Sequence, residues 1–292
     1  MKRLIVNAAG FGFTFGNNKG ILEALPYGLI KSVSVNVTWP AVEEVTRLAR
    51  DFPDVSIGLH WNLSVGPPVC DPKAIPSLVG SNGEFFADEF PRRCMKRLFD
   101  LEDMKRELRA QARKLRDTGV KILHWATHQS RFLYPQFYEA ARDVALEMGL
   151  LVVRTPYNYL AMPPGPRWLR LAQYYRRRPS QVYTHWVGSR KAKTLKKLGF
   201  RMADYALVLA SWGPKAVGNM EAWKDQLRRL PDGVGVTVCH PGHPDETLRK
   251  YSVVIDSRKE ESTLFSSDAL TRCAQESGIE LVSHAVLEGA QA

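Results

Sequence analysis

The chain has 292 residues, 45% hydrophobic and 24% charged, with a formal net charge of +11. That apolar content can bury a full core, and the length suits one α/β barrel or two small domains, of which a single domain over 1–292 is the expectation. No apolar run reaches the roughly 18 residues of a bilayer span, Met1-Lys2-Arg3 leads into a strand rather than a signal peptide, and Cys70, Cys94, Cys239 and Cys273 lack CxxC spacing. A cytoplasmic protein without disulfides or a structural zinc site is expected.

In chain order, Leu4-Ile5-Val6 opens a buried strand that breaks into Gly10, Gly12 and Gly16, and a helix follows from Ile21, with Asn17 or Asn18 as its N-cap. Strand, glycine turn and helix suggest a dinucleotide fingerprint. The residues argue against one: Phe11, Phe13 and Phe15 crowd the glycines, and the next strand ends in Thr38-Trp39-Pro40 with no acid for a ribose. Apolar, β-rich runs recur at Leu4–Asn7, Ser32–Val37, Val55–Leu63, Val120–Trp125, Leu150–Arg154, Tyr205–Leu209, Val234–Cys239 and Glu280–Ser283. Helical patterns lie between them, as at Ala41–Arg50 and Leu101–Asp117, the latter with a Met104, Leu108, Leu115 stripe ending at Gly119. Such alternation predicts a parallel sheet closed into a distorted TIM-type (β/α) barrel.

Charge is concentrated in one place. Between Met148 and Ala203 stand twelve Lys and Arg and no Asp or Glu, leaving 29 of the 41 basic residues against all 30 acidic ones elsewhere. Pro163-Pro164-Gly165-Pro166 introduces this segment, so 160–203 reads as a basic insertion overhanging the barrel mouth. With Trp168, Tyr174, Tyr175, Tyr183 and Trp186 interleaved, it suits a membrane surface or an anionic ligand. Nucleic acid is a poorer partner, because no recognised binding module accompanies the charge.

His60, His124, His128 and His240 fall at expected strand ends or the loops after them, the positions that carry chemistry in a barrel. His60, His128 and His240 are the candidate functional histidines; His124, His185, His243 and His284 are read as packed or surface residues.

These residues resemble the ChbG and HpnK (YdjC-like) carbohydrate deacetylases over nearly the whole chain. The resemblance is carried by Asn7-Ala8-x-x-Phe11-Gly12, Gly58-Leu59-His60-x-Asn62-Leu63, Thr127-His128-Gln129 with Pro135, Ala203-Asp204-Tyr205, Leu230-Pro231-x-Gly233-Val234, Cys239-His240-Pro241-Gly242 with Asp245, and Asp256-Ser257-Arg258-x-Glu260. It implies a distorted TIM-type barrel that hydrolyses the N-acetyl group of amino sugars with a divalent metal on one Asp and two His. By that resemblance His60 and His128 match the metal-binding histidines, and His240 the histidine of the HPG motif. The family's Asn-Ala-Asp-Asp-Phe-Gly, which supplies a base and a metal ligand, here has Ala9-Gly10 in place of the two Asp. The family's Ser-His-Gln-His-Val-His becomes Thr127-His128-Gln129-Ser130-Arg131-Phe132, and the Asp before it becomes Ala126.

A hydrolytic metal needs about three protein ligands and a nearby base, so zinc or magnesium on His60 and His128 is expected to be weakly held or absent. The resulting expectation is a deacetylase-like hydrolase of a sugar or lipid-linked glycan, with His240 and His128 catalytic and Arg131, Arg154 and Asn7 contacting the substrate. One alternative is a metal-free enzyme of altered chemistry that uses His60, His128 and His240 on an anionic small molecule. Another is an inactive pseudo-deacetylase that binds a glycan, a membrane surface or a partner. A homodimer is among the expected states.

Overall fold

The structure, a computed structural model, describes residues 1–156, 158–160, 166–208, 218–252 and 254–289. Pro163-Pro164-Gly165 and Leu209, placed by the sequence in a loop and at a strand end, lie outside the described residues. The strands are β1 (Lys2–Phe11), β2 (Ser32–Val35), β3 (Ser56–Trp61), β4 (His124–Thr127), β5 (Asn158–Leu160), β6 (Tyr205–Val208), β7 (Gly233–Cys239) and β8 (Ile279–Leu281). They form one sheet in the order β4-β3-β2-β1-β7-β6-β5, with β8 added to β1 and every ladder parallel. Single parallel bridges, Trp125 to Val153 and Val152 to Arg201, carry the strip 151–154 between β4 and the chain entering β6. The sheet thus curls round on itself as a distorted TIM-type barrel.

The helices are α1 (Phe15–Ala24), α2 (Val45–Asp51), α3 (Phe90–Met95), α4 (Leu101–Arg116), α5 (Pro135–Glu147), α6 (Arg167–Arg177), α7 (Pro179–Lys197), α8 (Met220–Arg228), α9 (Glu246–Tyr251), α10 (Asp256–Phe265) and α11 (Ala269–Glu276). The sequence Ser32-Val33-Ser34-Val35-Asn36 shows how they cover the sheet. Val33 and Val35 join the large apolar cluster with α1, α4 and α5, while the alternate Ser32 and Ser34 turn to a polar interior. This inverts the usual pattern of a water-facing sheet, because in a barrel the outer face is dry and the inner one can hold polar groups.

Below the barrel mouth that interior is a hydrogen-bonded layer. Ser32 Oγ lies 2.6 Å from Ser56 Oγ, Asn7 Nδ2 donates to Ser34 Oγ at 3.0 Å, and Ser34 Oγ lies 3.0 Å from His124 Nε2. His284 Nδ1 is 2.9 Å from Ser32 Oγ, and its ring stacks on His124 with centroids 3.6 Å apart. Gly58 makes room for this stack, since a Cβ there would lie 2.3 Å from the His124 ring. A smaller apolar cluster that includes Ile5, Val152, Val234, Val236 and Leu287 lies apart from the main one.

Several boundaries differ from those read in the sequence. The fourth strand starts at His124 rather than Val120, because Val120 and Ile122 pack only partly against the core in the approach to the strand. Leu150–Arg154 forms bridges rather than a ladder. The first helix begins at Phe15, capped by Thr14 Oγ1 accepting from Asn17 N at 3.1 Å, so Asn17 and Asn18 lie inside it. Residues Pro40–Glu44 form a 3₁₀ turn before α2. All four cysteines are free thiols, and no helix among the described residues is long and apolar enough to cross a membrane.

Candidate active site

Because all the ladders are parallel, the C-terminal ends of β1, β3, β4, β6 and β7 meet at one mouth, where a cavity of about 590 Å³ opens. Its first wall is the turn after β1. Gly12 has φ +80°, and a Cβ on it would come within 2.3 Å of the Asn36 carbonyl oxygen, so only glycine fits where β1 leaves the sheet. Asn18 holds that turn from inside α1: its Oδ1 accepts from Gly12 N at 2.6 Å, and its Nδ2 donates to Ala41 O and Glu44 Oε2. Ala9 and Gly10 line the cavity, Gly10 at φ +103°.

His60, on the inward face of β3, is 5% exposed. The loop beyond it is fixed by polar groups on the buried side of α4. Gln111 accepts from Asn62 N at 3.0 Å, and Glu107 accepts from Val69 N and Cys70 N at 2.8 Å each. Asn62 closes the loop, with Nδ2 donating to Val65 O at 2.7 Å. His128 follows β4, with its ring centroid 5.7 Å from that of His60. His240 follows β7, and its backbone N–H donates to Glu261 Oε2 at 2.5 Å. Arg154 leaves the bridged strip and donates to Thr127 O at 3.4 Å. Arg258, in the first turn of α10, completes the wall.

Burial, followed by the neighbouring charges, sets the protonation states. Burial first, then His128, Arg154, His240 and Arg258, holds His60 well below the ordinary imidazole value. His128 is brought down to about 4 by burial and then Arg258, Arg131 and Arg154. His240 is brought to about 3 by burial and then Arg258, Arg154 and His128. All three imidazoles are neutral at pH 7. Burial lowers Arg154 and Arg258 to about 10, which leaves both guanidiniums charged, and raises Glu261 to about 7. The mouth therefore combines fixed positive charge with imidazoles free to accept or donate a proton.

Of the residues singled out in the sequence, the cavity brings together His60, His128, His240 and Arg154. Two residues expected to contact the substrate, Arg131 and Asn7, are not among those lining the cavity. Arg131 lies off the cavity lining: its Nε donates to Gln129 Oε1 at 2.9 Å, and its guanidinium lies within 6 Å of the Phe90 and Tyr134 rings, where aromatic surface and a neutral amide hold it. Asn7 is fully buried in the polar layer, because its position on β1 is several residues short of the strand's C-terminal end. The other histidines have structural partners: His124 and His284 stack on each other, His243 Nε2 lies 2.6 Å from Glu23, and His185 Nδ1 lies 2.8 Å from Tyr175 Oη. Arg258 was not selected as a site residue by sequence reasoning, although it stands in the Asp256-Ser257-Arg258 motif; its helix had not been placed at the mouth.

The basic segment contributes α6 and α7. Gln181 and Thr184 of α7 line the same cavity as Gly10. The other side of the pair is exposed and aromatic, with Trp168 at 69%, Tyr183 at 61% and Trp186 at 53% of full exposure. Arg178 lies over the Tyr174 ring at 5.0 Å and Arg190 over Trp186 at 4.5 Å.

The residues at the mouth do not fit a divalent metal. Among the described residues no group of three His, Cys, Asp or Glu is arranged to hold one. Where a carboxylate would be needed the chain has Ala9 and Gly10, and a Cβ built on Gly10 would point to within 3.6 Å of Arg258 Nη1. A cation held by two imidazoles beside that guanidinium would meet its repulsion, and the carboxylates whose charge reaches the guanidinium, Glu261 and Asp245, accept from backbone N–H groups instead.

The fold and site define a (β/α) barrel with its chemistry-bearing residues at the C-terminal strand ends. The chain belongs to the YdjC-like protein family, whose model matches residues 3–276. It is similar to a carbohydrate deacetylase of Geobacillus stearothermophilus, 27% identical over 286 residues and 96% of each chain. It is also similar to one of Thermoanaerobacter pseudethanolicus, 31% identical over 158 residues, covering 54% of this chain and 62% of the relative. A crystal structure from Enterococcus faecalis, of a protein assigned to cellobiose-phosphate cleavage, covers 98% of both chains with a TM-score of 0.75 at 23% identity, a likeness of fold.

Proposed function

We propose that this chain is a deacetylase-like hydrolase of an acylated amino sugar, working without a firmly held metal. The carrying observation is that three neutral histidines from three strand ends face one cavity together with two guanidiniums. His128, with Nε2 buried and without a partner among the described residues, takes a proton from the attacking water. The guanidinium of Arg258 or Arg154 stabilises the oxyanion that develops on the acyl oxygen, and the proton taken up by His128 passes through His240, which accepts it on one ring nitrogen as it donates from the other, to the leaving amine. An imidazole as depressed as His128 is a weak base, so slow turnover is expected. Asn36, Thr155 and Thr237 provide polar wall suited to sugar hydroxyls. Similarity to carbohydrate deacetylases over 96% of the chain supports the substrate class.

The test is deacetylation of a panel of N-acetylated amino sugars, with and without chelator. Turnover should survive chelator and fall about 100-fold or more in His128→Ala. Loss of turnover on chelation, or no turnover of any acylated amino sugar, would defeat this reading. The exposed aromatics and arginines of α6 and α7 favour a second element: the substrate is presented at an anionic lipid surface, as a lipid-linked glycan would be.

A further inference from the structure

We propose that Arg258, with Arg154 beside it, forms an oxoanion-binding site facing Ala9-Gly10, and that the ligand of this cavity carries a carboxylate or a phosphate group. The inference concerns binding and stands whether or not the cavity turns a substrate over.

Arg258 is 5% exposed, and among the described residues its side chain makes one hydrogen bond, from Nε to Val254 O at 2.9 Å. Its Nη1 is buried without a partner among the described residues and lines the cavity. The two carboxylates whose charge reaches it are turned elsewhere. Glu261 accepts from the His240 backbone N–H at 2.5 Å, and Asp245 accepts from Leu248 N at 2.8 Å and Gly16 N at 3.3 Å. A buried guanidinium left in this state is costly to the fold, and a bound anion is what would compensate it.

Space for the anion lies beside the guanidinium. A Cβ on Gly10 would meet Arg258 Nη1 at 3.6 Å, ordinary contact distance, so the volume a side chain at position 10 would fill is left to a ligand. Arg154 lines the same cavity, so both guanidiniums face the space beside His60, His128 and His240. His60 Nδ1 and His128 Nε2 are also buried and without a partner among the described residues, and a neutral imidazole can donate one N–H to a further oxygen. Planar guanidinium donors with imidazole N–H groups suit the several oxygens of a carboxylate or phosphate.

The experiment is calorimetric titration of the full chain with inorganic phosphate, sulfate and acetate, followed by a hexosamine phosphate and a hexuronic acid to separate the two sources of the oxoanion. The wild-type chain should bind at least one of these at millimolar concentration or below. Arg258→Gln should bind about tenfold more weakly or worse, Arg258→Lys should retain part of the affinity, and Arg47→Gln, altered at an exposed residue that does not line the cavity, should match wild type. If Arg258→Gln does not fold, Arg154→Gln takes its place with the same expected loss. No binding of any of the five by wild type, or equal binding by the folded Arg258 and Arg47 variants, overturns the proposal. Because binding is read without turnover, failure here is distinct from failure of the hydrolase reading.

Discussion

Lowering the pH from 8 to 5 should destabilise the fold through the stacked pair His124–His284. Their centroids are 3.6 Å apart, so protonating one ring places a cation against the other in a closed interior. Burial holds His284 down at about 3 and His124 well below its ordinary value. A group whose folded-state pKa is depressed binds its proton first in the unfolded chain. The stability it contributes is present above the unfolded value near 6.5 and is lost as pH falls below it. Between pH 8 and pH 5, the difference between about 6.5 and about 3 makes His284 alone worth about 2 kcal/mol. His240 and His128 act in the same direction by about 2 kcal/mol each. Glu261, raised to about 7, works the other way, taking up a proton in the folded state and returning about 2.5 kcal/mol. The net loss from these groups is about 3 to 4 kcal/mol, and His60 and His124 deepen it. Urea unfolding followed by far-ultraviolet circular dichroism at both pH values measures the loss. His284→Asn should be less stable than wild type at pH 8, with the gap narrowing by about 2 kcal/mol at pH 5. A gap that stays constant or widens would show that His284 is not a neutral, buried imidazole.

Gly12→Ala should lose more than about 2 kcal/mol, because φ +80° and a Cβ at 2.3 Å from the Asn36 oxygen force the turn after β1 to move; a midpoint of urea unfolding within error of wild type would contradict the turn geometry. Glu107→Gln should cost about 2 to 3 kcal/mol, since a carboxylate accepting from Val69 N and Cys70 N would be replaced by an amide with one acceptor; an unchanged midpoint would mean that those bonds carry no weight. Co-sedimentation with vesicles rich in anionic lipid should fall about 100-fold on neutralising Arg176, Arg177 and Arg178 together, at about 1 kcal/mol each, and should also fall with added salt. Equal affinity for zwitterionic vesicles would remove the lipid surface as a partner.

Much of the barrel was legible because its outer face is dry. Runs such as Leu4-Ile5-Val6 and Val33, Val35, Val37 repeat at barrel spacing, and the helices between them bury clear stripes such as Met104, Leu108 and Leu115. The polar lining was harder to read. Ser32, Ser34, Ser56 and His284 look like surface residues by type, and only the closure of the sheet brings them together. Of the site, the three histidines could be found because each follows a strand-like run. Arg258 could not, because its place at the mouth depends on α10 packing against α1 and on the backbone bond from Gly242 N to its carbonyl oxygen, a long-range arrangement with no local signature. Arg131 is near His128 in sequence, but Gln129 and the Phe90 and Tyr134 rings occupy its side chain, contacts that sequence proximity does not reveal.

β1 is joined along one edge to β7 and along the other to β8 near its start and β2 near its end, so the sheet has its hub in residues 2–11. Lys2 pairs with Gly233 and with Ile279. At ribosomal rates of about 5 to 20 residues per second, β1 waits roughly 10 to 50 s for β7 to be made. Throughout that interval the edge of β1 that β7 covers has no partner from β7. Until β7 and β8 are made, Leu4, Ile5 and Val6 lack the ladder partners that they have in the finished barrel, and unpaired strand edges of this kind are open to association with other chains.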